Sequence, residues 1–226
     1  MVNRVRIAGE RDIEAIVFDM DGLLFDSEKI VQRSWTRVSN EMGLPDVGSH
    51  IYNTLGFNAK RRQEYFYNTF GADFPYDDFA QRTRAGFQNI ARREGIPLKT
   101  GVRELLEFAK GQKLKLAVAT STRQAEATAM LDNEGISCYF DGMVFGDVVK
   151  NAKPDPEIFL TACEIIEAAP EDSIALEDSP AGIQSAHAAG MLPIMIPDLV
   201  QPKEEIRSLC FRQFKTLKDV QILLQS

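Results

Sequence analysis

Histidine is nearly missing from this chain: His50 and His187 are the two among 226 residues. A Ser-His-Asp triad or a histidine-built metal centre is therefore hard to assemble. Cysteine is scarce as well. Cys138, Cys163 and Cys210 are odd in number and far apart. They fit neither a disulfide framework nor a zinc-ligand spacing, and they suit a reducing cytoplasm. No apolar run is long enough to cross a bilayer. The opening stretch carries Arg4, Arg6, Glu10, Arg11, Asp12 and Glu14 with no apolar centre, so no signal peptide is expected. Positive charge is also short, with 26 basic against 33 acidic residues and a net charge of -7. That balance argues against a nucleic-acid-binding face. The remaining class is a globular, cytoplasmic protein, expected as a monomer, with a small-molecule partner and neither a nucleic-acid nor a membrane partner.

Against these absences stand four short apolar runs that each lead into polar residues. Ile16-Val17-Phe18 leads into Asp19-Met20-Asp21-Gly22, and Leu114–Ala119 into Thr120-Ser121. Met143-Val144-Phe145-Gly146-Asp147 precedes Lys153-Pro154-Asp155-Pro156, and Ile174-Ala175-Leu176 leads into Glu177-Asp178-Ser179. If the runs are parallel strands, all four polar sets lie at one sheet edge. In open α/β sheets the carboxyl edge is where ligands bind.

From Thr100 to Pro197 the pattern alternates helix and strand. Thr100 is expected to cap a helix that Gly111 stops. Ser121 or Thr122 is expected to cap the helix after the second run. Asp155-Pro156 and Ser179-Pro180 each combine a cap with proline at the first helical position. This repetition predicts an α/β fold with a doubly wound parallel sheet. Residues 27–98 read differently. They hold 11 of the 20 aromatics, including Trp35, and ten basic against eight acidic residues. Helices are expected over Glu28–Met42, Ser49–Leu55, Ala59–Phe70 and Tyr76–Glu94. The predicted organisation is a core made of 1–26 and 99–226, with a small inserted α-helical domain, 27–98, hinged at Asp26-Ser27 and Ile96-Pro97-Leu98.

The strand-end residues suit phosphoryl transfer. Asp19, one residue past a strand, is the candidate nucleophile, and a carboxylate attacking phosphorus splits hydrolysis into two displacements. Asp21 points the same way if the chain stays extended. It can protonate the leaving alcohol and then deprotonate the attacking water. Mg2+ takes oxygen ligands and keeps several waters. Asp19, the backbone carbonyl of Asp21, and Asp178 can supply three positions. Glu177 stands beside them, as a ligand or as a support behind the ligands. Thr120 and Ser121 can bind a phosphate at a helix start, and the Lys153 ammonium can stabilise its charge.

Taken in order, these motifs resemble the haloacid dehalogenase superfamily. They are similar to the branch with a helical cap inserted after the first strand, which includes the β-phosphoglucomutase-like phosphatases. The matching residues are those from Phe18 to Glu28, Ala119-Thr120-Ser121, Lys153-Pro154-Asp155-Pro156, and those from Leu176 to Gly182. The resemblance runs from about Ile13 to Asp198. It implies a Rossmann-like core, Mg2+ as cofactor and Asp19 as nucleophile. Dehalogenases and phosphonate-cleaving members lack the second aspartate, so Asp21 points away from both. Mutases of this branch carry a cap histidine where this chain has Val31. They also carry an arginine after a Gly-x-Ser turn, where this chain has Gly56-Phe57-Asn58-Ala59. Lys60 and Arg61, displaced by one or two positions, are the expected substitutes, and one of the three successive basic residues Lys60, Arg61 and Arg62 is expected to contact a substrate anion.

The expected function is Mg2+-dependent hydrolysis of a small phosphate monoester, a sugar phosphate or related metabolite, through an aspartyl-phosphate on Asp19. A hexose-phosphate mutase is the first rival. A non-catalytic module binding phosphorylated metabolites is the second, weakened by the presence of both a nucleophile and an acid.

Overall fold

The computed structural model describes residues 4–7, 11–44 and 47–225. Its centre is a six-stranded sheet in the order β5-β4-β3-β6-β7-β8. The chain begins with an antiparallel pair, β1 (Val5–Ile7) and β2 (Arg11–Ile13), that the sequence patterning does not predict. The sheet strands are β3 (Ala15–Phe18), β4 (Lys115–Ala119), β5 (Gly142–Val144), β6 (Ser173–Glu177), β7 (Leu192–Met195) and β8 (Arg212–Gln213), and every pairing between them is parallel. Successive side chains of a strand face opposite sides of the sheet. Ile16, Phe18, Leu116, Val118, Ile174 and Leu176 build one large-residue face. Ala15, Val17, Ala117, Ala119 and Ala175 build a small-residue face on which Phe159, Ala162 and Ala186 pack. Burial on both faces explains the continuous apolar runs in the sequence.

Nine helices connect and flank these strands among the described residues: α1 (Glu28–Glu41), α2 (Ala59–Phe70), α3 (Tyr76–Glu94), α4 (Val102–Gly111), α5 (Gln124–Asn133), α6 (Glu157–Ile165), α7 (Pro180–Ala188), α8 (Glu204–Arg207) and α9 (Leu217–Leu224). Ser179 caps α7 as expected, its Oγ accepting from the Gly182 amide at 3.0 Å. Two expected caps do not form. Helix α4 starts at Gly101, which has φ +93° and no side-chain cap bond, not at Thr100. A Cβ at Gly101 would lie 2.6 Å from the Lys218 amide nitrogen, so the close approach of α9 requires glycine there. Helix α5 starts after Arg123, and Asp147 Oδ1 takes the Gln124 amide at 3.0 Å. The hydroxyls of Ser121 and Thr122 are thereby released for other contacts.

Helices α1, α2 and α3 have their own buried cluster around Trp35, Phe66 and Phe79. The Trp35 ring meets Phe66 and Phe79 edge-on, with centroids 5.4 and 5.5 Å apart, the arrangement that ring quadrupoles favour. The stretch Val47–Asn53 is a 3-10 helix, shifted from the expected Ser49–Leu55. The two strands of chain joining this helical segment to the sheet run side by side. Asp26 N donates to Pro97 O and Lys99 N to Leu24 O, both at 2.9 Å. Lys99 Nζ adds ion pairs to Asp198 at 2.6 Å and to Asp26 at 3.5 Å.

Candidate active site

Parallel register brings the candidate residues to one level. Phe18 pairs with Val118 and with Leu176, so Asp19 emerges between Ala119 and Glu177. The Lys153 ammonium joins all three positions. It donates to Asp19 Oδ1 at 2.5 Å, to Glu177 Oε1 at 2.6 Å and to the Ala119 carbonyl at 3.0 Å. Lys153 is fully buried. Burial opposes its charge, but attraction to Asp19 and Glu177 prevails and holds its pKa above the ordinary lysine range. A buried charge kept in this way is expensive to orphan, and removing one partner of such a pair typically costs about 3–5 kcal/mol.

Carboxylates outnumber that cation. Burial raises Asp19 well above the usual carboxylate range, with Glu177 and Asp21 adding repulsion against the pull of Lys153. Burial also raises Asp178, and repulsion from Glu177, Asp19, Glu28 and Asp198 reinforces it. Glu28 is pushed up to about 8 by burial and by Asp21, with Arg62 opposing. Asp178 Oδ2 is buried without a hydrogen-bond partner. Gly22 faces that atom so closely that a Cβ would lie 2.2 Å from it. Asp19, Glu177 and Asp178 each present a carboxylate oxygen within 4.8 Å of the others. Crowded acids, an unpartnered buried oxygen and a glycine that leaves room beside it fit a hard divalent cation. Within this set Glu177 is already engaged. Its Oε2 accepts from the Asp178 amide, the Ser179 amide and the Ser179 hydroxyl at 3.1, 3.0 and 2.9 Å, while its Oε1 holds Lys153. Asp19 and Asp178 are the carboxylates left to bind a cation.

Asp21 is held by two hydroxyls. Ser27 Oγ donates to its Oδ1 at 2.8 Å and Thr122 Oγ1 to its Oδ2 at 2.6 Å. Thr120 is buried, and its Oγ1 accepts from the Thr122 amide at 3.0 Å. Ser121 Oγ instead donates to the Gly56 carbonyl at 2.9 Å, a bond between the sheet edge and the helical segment. A cavity of about 730 Å³ opens between these parts, with Asp19, Asp21, Ser121 and Thr122 at its polar end and Trp35, Phe57, Tyr76 and Arg62 among its walls. Lys60 is exposed and lies outside the cavity lining, and so does Arg61, whose Nη1 donates to the Lys153 carbonyl. The arginine of the helical segment that reaches the cavity is Arg62, which has a buried Nε without a partner. Helical spacing contains the signal, because Arg62 lies three residues after Ala59 and thus on the same face of α2. Ser27, Glu28 and Thr122 also shape the site. Ser27 and Glu28 close the motif that begins at Phe18, and Thr122 follows Thr120-Ser121, but nothing in those motifs gives the three residues a role.

The model of the haloacid dehalogenase-like hydrolase family matches residues 16–196. This chain belongs to that family. It is an enzyme, a hydrolase, and its relatives place it among the phosphoric monoester hydrolases. It is 36% identical over 179 residues to the phosphorylated carbohydrates phosphatase of Thermotoga maritima, covering 79% of this chain and 82% of that one. It is 27% identical to the β-phosphoglucomutase of Bacillus subtilis, over 80% of this chain and 82% of the relative. The crystal structure of CbbY from Rhodobacter sphaeroides in complex with phosphate shares the fold, with a TM-score of 0.78 and 26% identity over 95% of this chain and all of that one. The expected α/β Rossmann-like core is thus observed. Among the described residues no helix is long and apolar enough to cross a membrane.

Proposed function

We propose that this hydrolase removes phosphate from a small phosphorylated sugar or related metabolite. Asp19 attacks phosphorus, and the leaving alcohol takes a proton from Asp21. A water then attacks the phosphorus of the resulting aspartyl-phosphate and gives its proton back to Asp21; the Asp19–phosphorus bond breaks, inorganic phosphate leaves, and Asp19 returns as a carboxylate and Asp21 as an acid. Lys153 holds Asp19 in place and balances part of the charge on the phosphoryl oxygens. The Thr120 side chain and the amides that follow it receive those oxygens, with Ser121 beside them. Asp19, Asp178 and the Asp21 carbonyl would hold Mg2+, which would offset the repulsion between carboxylate and phosphate. The segment 27–98 acts as a cap over the reacting groups, and the enzyme works as a cytoplasmic monomer.

The observation that carries this reading is Asp19 facing the cavity between Lys153 and Asp21. Hydrolysis is favoured over phosphate migration because Val31, at the position where mutases of this branch carry histidine, is part of the cavity wall. The deciding experiment follows phosphate release from a panel of sugar phosphates, with and without EDTA, and traps labelled phosphate on the protein by rapid acid quench. No release from any member, or activity that rises only when a sugar bisphosphate is added, would reject it.

A further inference from the structure

One short turn of the helical segment touches three of the loops that carry the phosphate chemistry. Ser121, after β4, donates to the Gly56 carbonyl at 2.9 Å. Ser179, after β6, lies so near Gly56 that a Cβ on the glycine would sit 2.5 Å from its Oγ. The third contact is made by Arg61, whose Nη1 donates to the Lys153 carbonyl on the loop after β5. Among the described residues no other donor reaches that carbonyl. The Arg61 guanidinium also lies over the Phe57 ring, 3.8 Å from its centroid, so the arginine is packed on the turn. Its direction is fixed at the start of α2, where Asn58 Oδ1 accepts the Arg61 amide at 2.9 Å. Arg61 therefore touches the backbone of the residue whose ammonium sits on Asp19, while its own side chain stays out of the cavity lining.

We propose that Arg61 is a positioning residue for phosphoryl transfer: it fastens the Lys153 loop when the Gly56–Asn58 turn is seated, and so couples the cap's placement to the alignment of Lys153 with Asp19. The inference rests on the phosphatase reading for its kinetic consequence but on contact geometry for its structural one. A carbonyl released from its donor lets the loop drift, and small displacements of a catalytic group cost rate and not affinity. Arg61 is thus a different kind of residue from Arg62, one turn face away, which meets the cavity itself.

Two measurements on the full-length protein test this. In Arg61→Ala, kcat falls about tenfold for a small aryl phosphate and for the best metabolite alike, with KM within about twofold of wild type. Arg61→Lys, which keeps a donor, recovers part of the loss. Peptide-resolved hydrogen exchange shows faster exchange over residues 147–156 in Arg61→Ala, with α4 and α9 unchanged. A kcat on aryl phosphate equal to wild type overturns the proposal, as does a rise in KM for the metabolite alone, which would make Arg61 a substrate contact. If the wild-type protein releases no phosphate from any substrate, the phosphatase reading falls. The exchange result then decides the positioning role by itself, and unchanged exchange over 147–156 rejects it.

Discussion

At the ends of β3, β4 and β6 the buried side chains are charged and hydroxylic, whereas between α1, α2 and α3 they are aromatic. The Asp19 corner is held by directional bonds: one ammonium on three acceptors, one carboxylate on four donors. The helical segment is held by Trp35, Phe66 and Phe79, whose contacts depend on area and shape and little on angle. Directional networks tolerate almost no change in their members, because each loss orphans a buried charge. An aromatic cluster accepts changes at its rim. On the proposed reading, the chemistry is concentrated where substitution is costly and the selection of substrate where it is cheap.

The largest effect expected from this contrast is at Asp19. Asp19→Asn removes the nucleophile while keeping the shape, so turnover falls by on the order of a thousandfold or more, about 4 kcal/mol of barrier, on every substrate. Steady-state phosphate release with circular dichroism as a fold control checks it. A residual rate within about tenfold of wild type would sink the covalent route.

Next comes Asp178, where buried acids crowd one corner. Asp178→Asn removes a buried carboxyl that burial and the neighbouring acids make costly to ionise and whose Oδ2 has no partner. In EDTA this variant is expected to melt a few degrees above wild type, following roughly 2–4 °C per kcal/mol for a chain of this size. With Mg2+ the order reverses, and the variant needs at least about tenfold more metal for half-maximal activity. Differential scanning calorimetry in the two buffers separates the outcomes. A variant less stable than wild type in EDTA would show that the carboxylate is already satisfied.

A smaller effect belongs to the cap side. Arg62→Ala should raise KM for the best metabolite about tenfold, roughly the loss of one charge-assisted hydrogen bond. An aryl phosphate, which needs only the corner, should change less than about twofold. Equal effects on both substrates would erase the division of labour. The smallest effect is chemical and tests the dryness of the interior. The Cys163 thiol is buried, and burial pushes it up to about 11. At pH 8 it should resist alkylation while exposed Cys138 is labelled, as read by intact mass. Rapid labelling of Cys163 itself, told apart from half-exposed Cys210 by peptide mapping, would reveal an opening core.

The apolar runs before Asp19, Thr120 and Glu177 announce buried parallel strands, and parallel pairing then places their polar followers side by side. Helices α2 and α3 also carry their ends in the sequence, through Asn58 before one and Gly95 after the other. The β1–β2 pair was hidden because its strands are three residues each and half exposed, too short for alternation to register. Hydroxyl roles were hidden for another reason. Ser121 and Thr122 sit at a helix start, where capping is the local expectation, yet Asp147 caps and the hydroxyls turn to Gly56 and Asp21. The choice among Lys60, Arg61 and Arg62 was likewise beyond local pattern. It depends on how α2 is rotated against the sheet edge, a tertiary fact that three adjacent basic residues leave open.

The two chain segments that leave and re-enter the sheet at Asp26 and Lys99 are joined by a pair of backbone hydrogen bonds, and the Phe25–Leu98 bridge lies between them. In topological terms everything between these points is an excursion that closes on itself at its base. Joining the base with a short turn would leave the strand order of the sheet untouched and would shorten the loop that folding must close, a modest entropic gain because that cost grows only logarithmically with length. Such an excursion behaves as an exchangeable part. A chimera made by cutting at these two points keeps the sheet but takes Ser27 from Asp21 and Arg61 from the Lys153 carbonyl, so the grafted part must supply their equivalents.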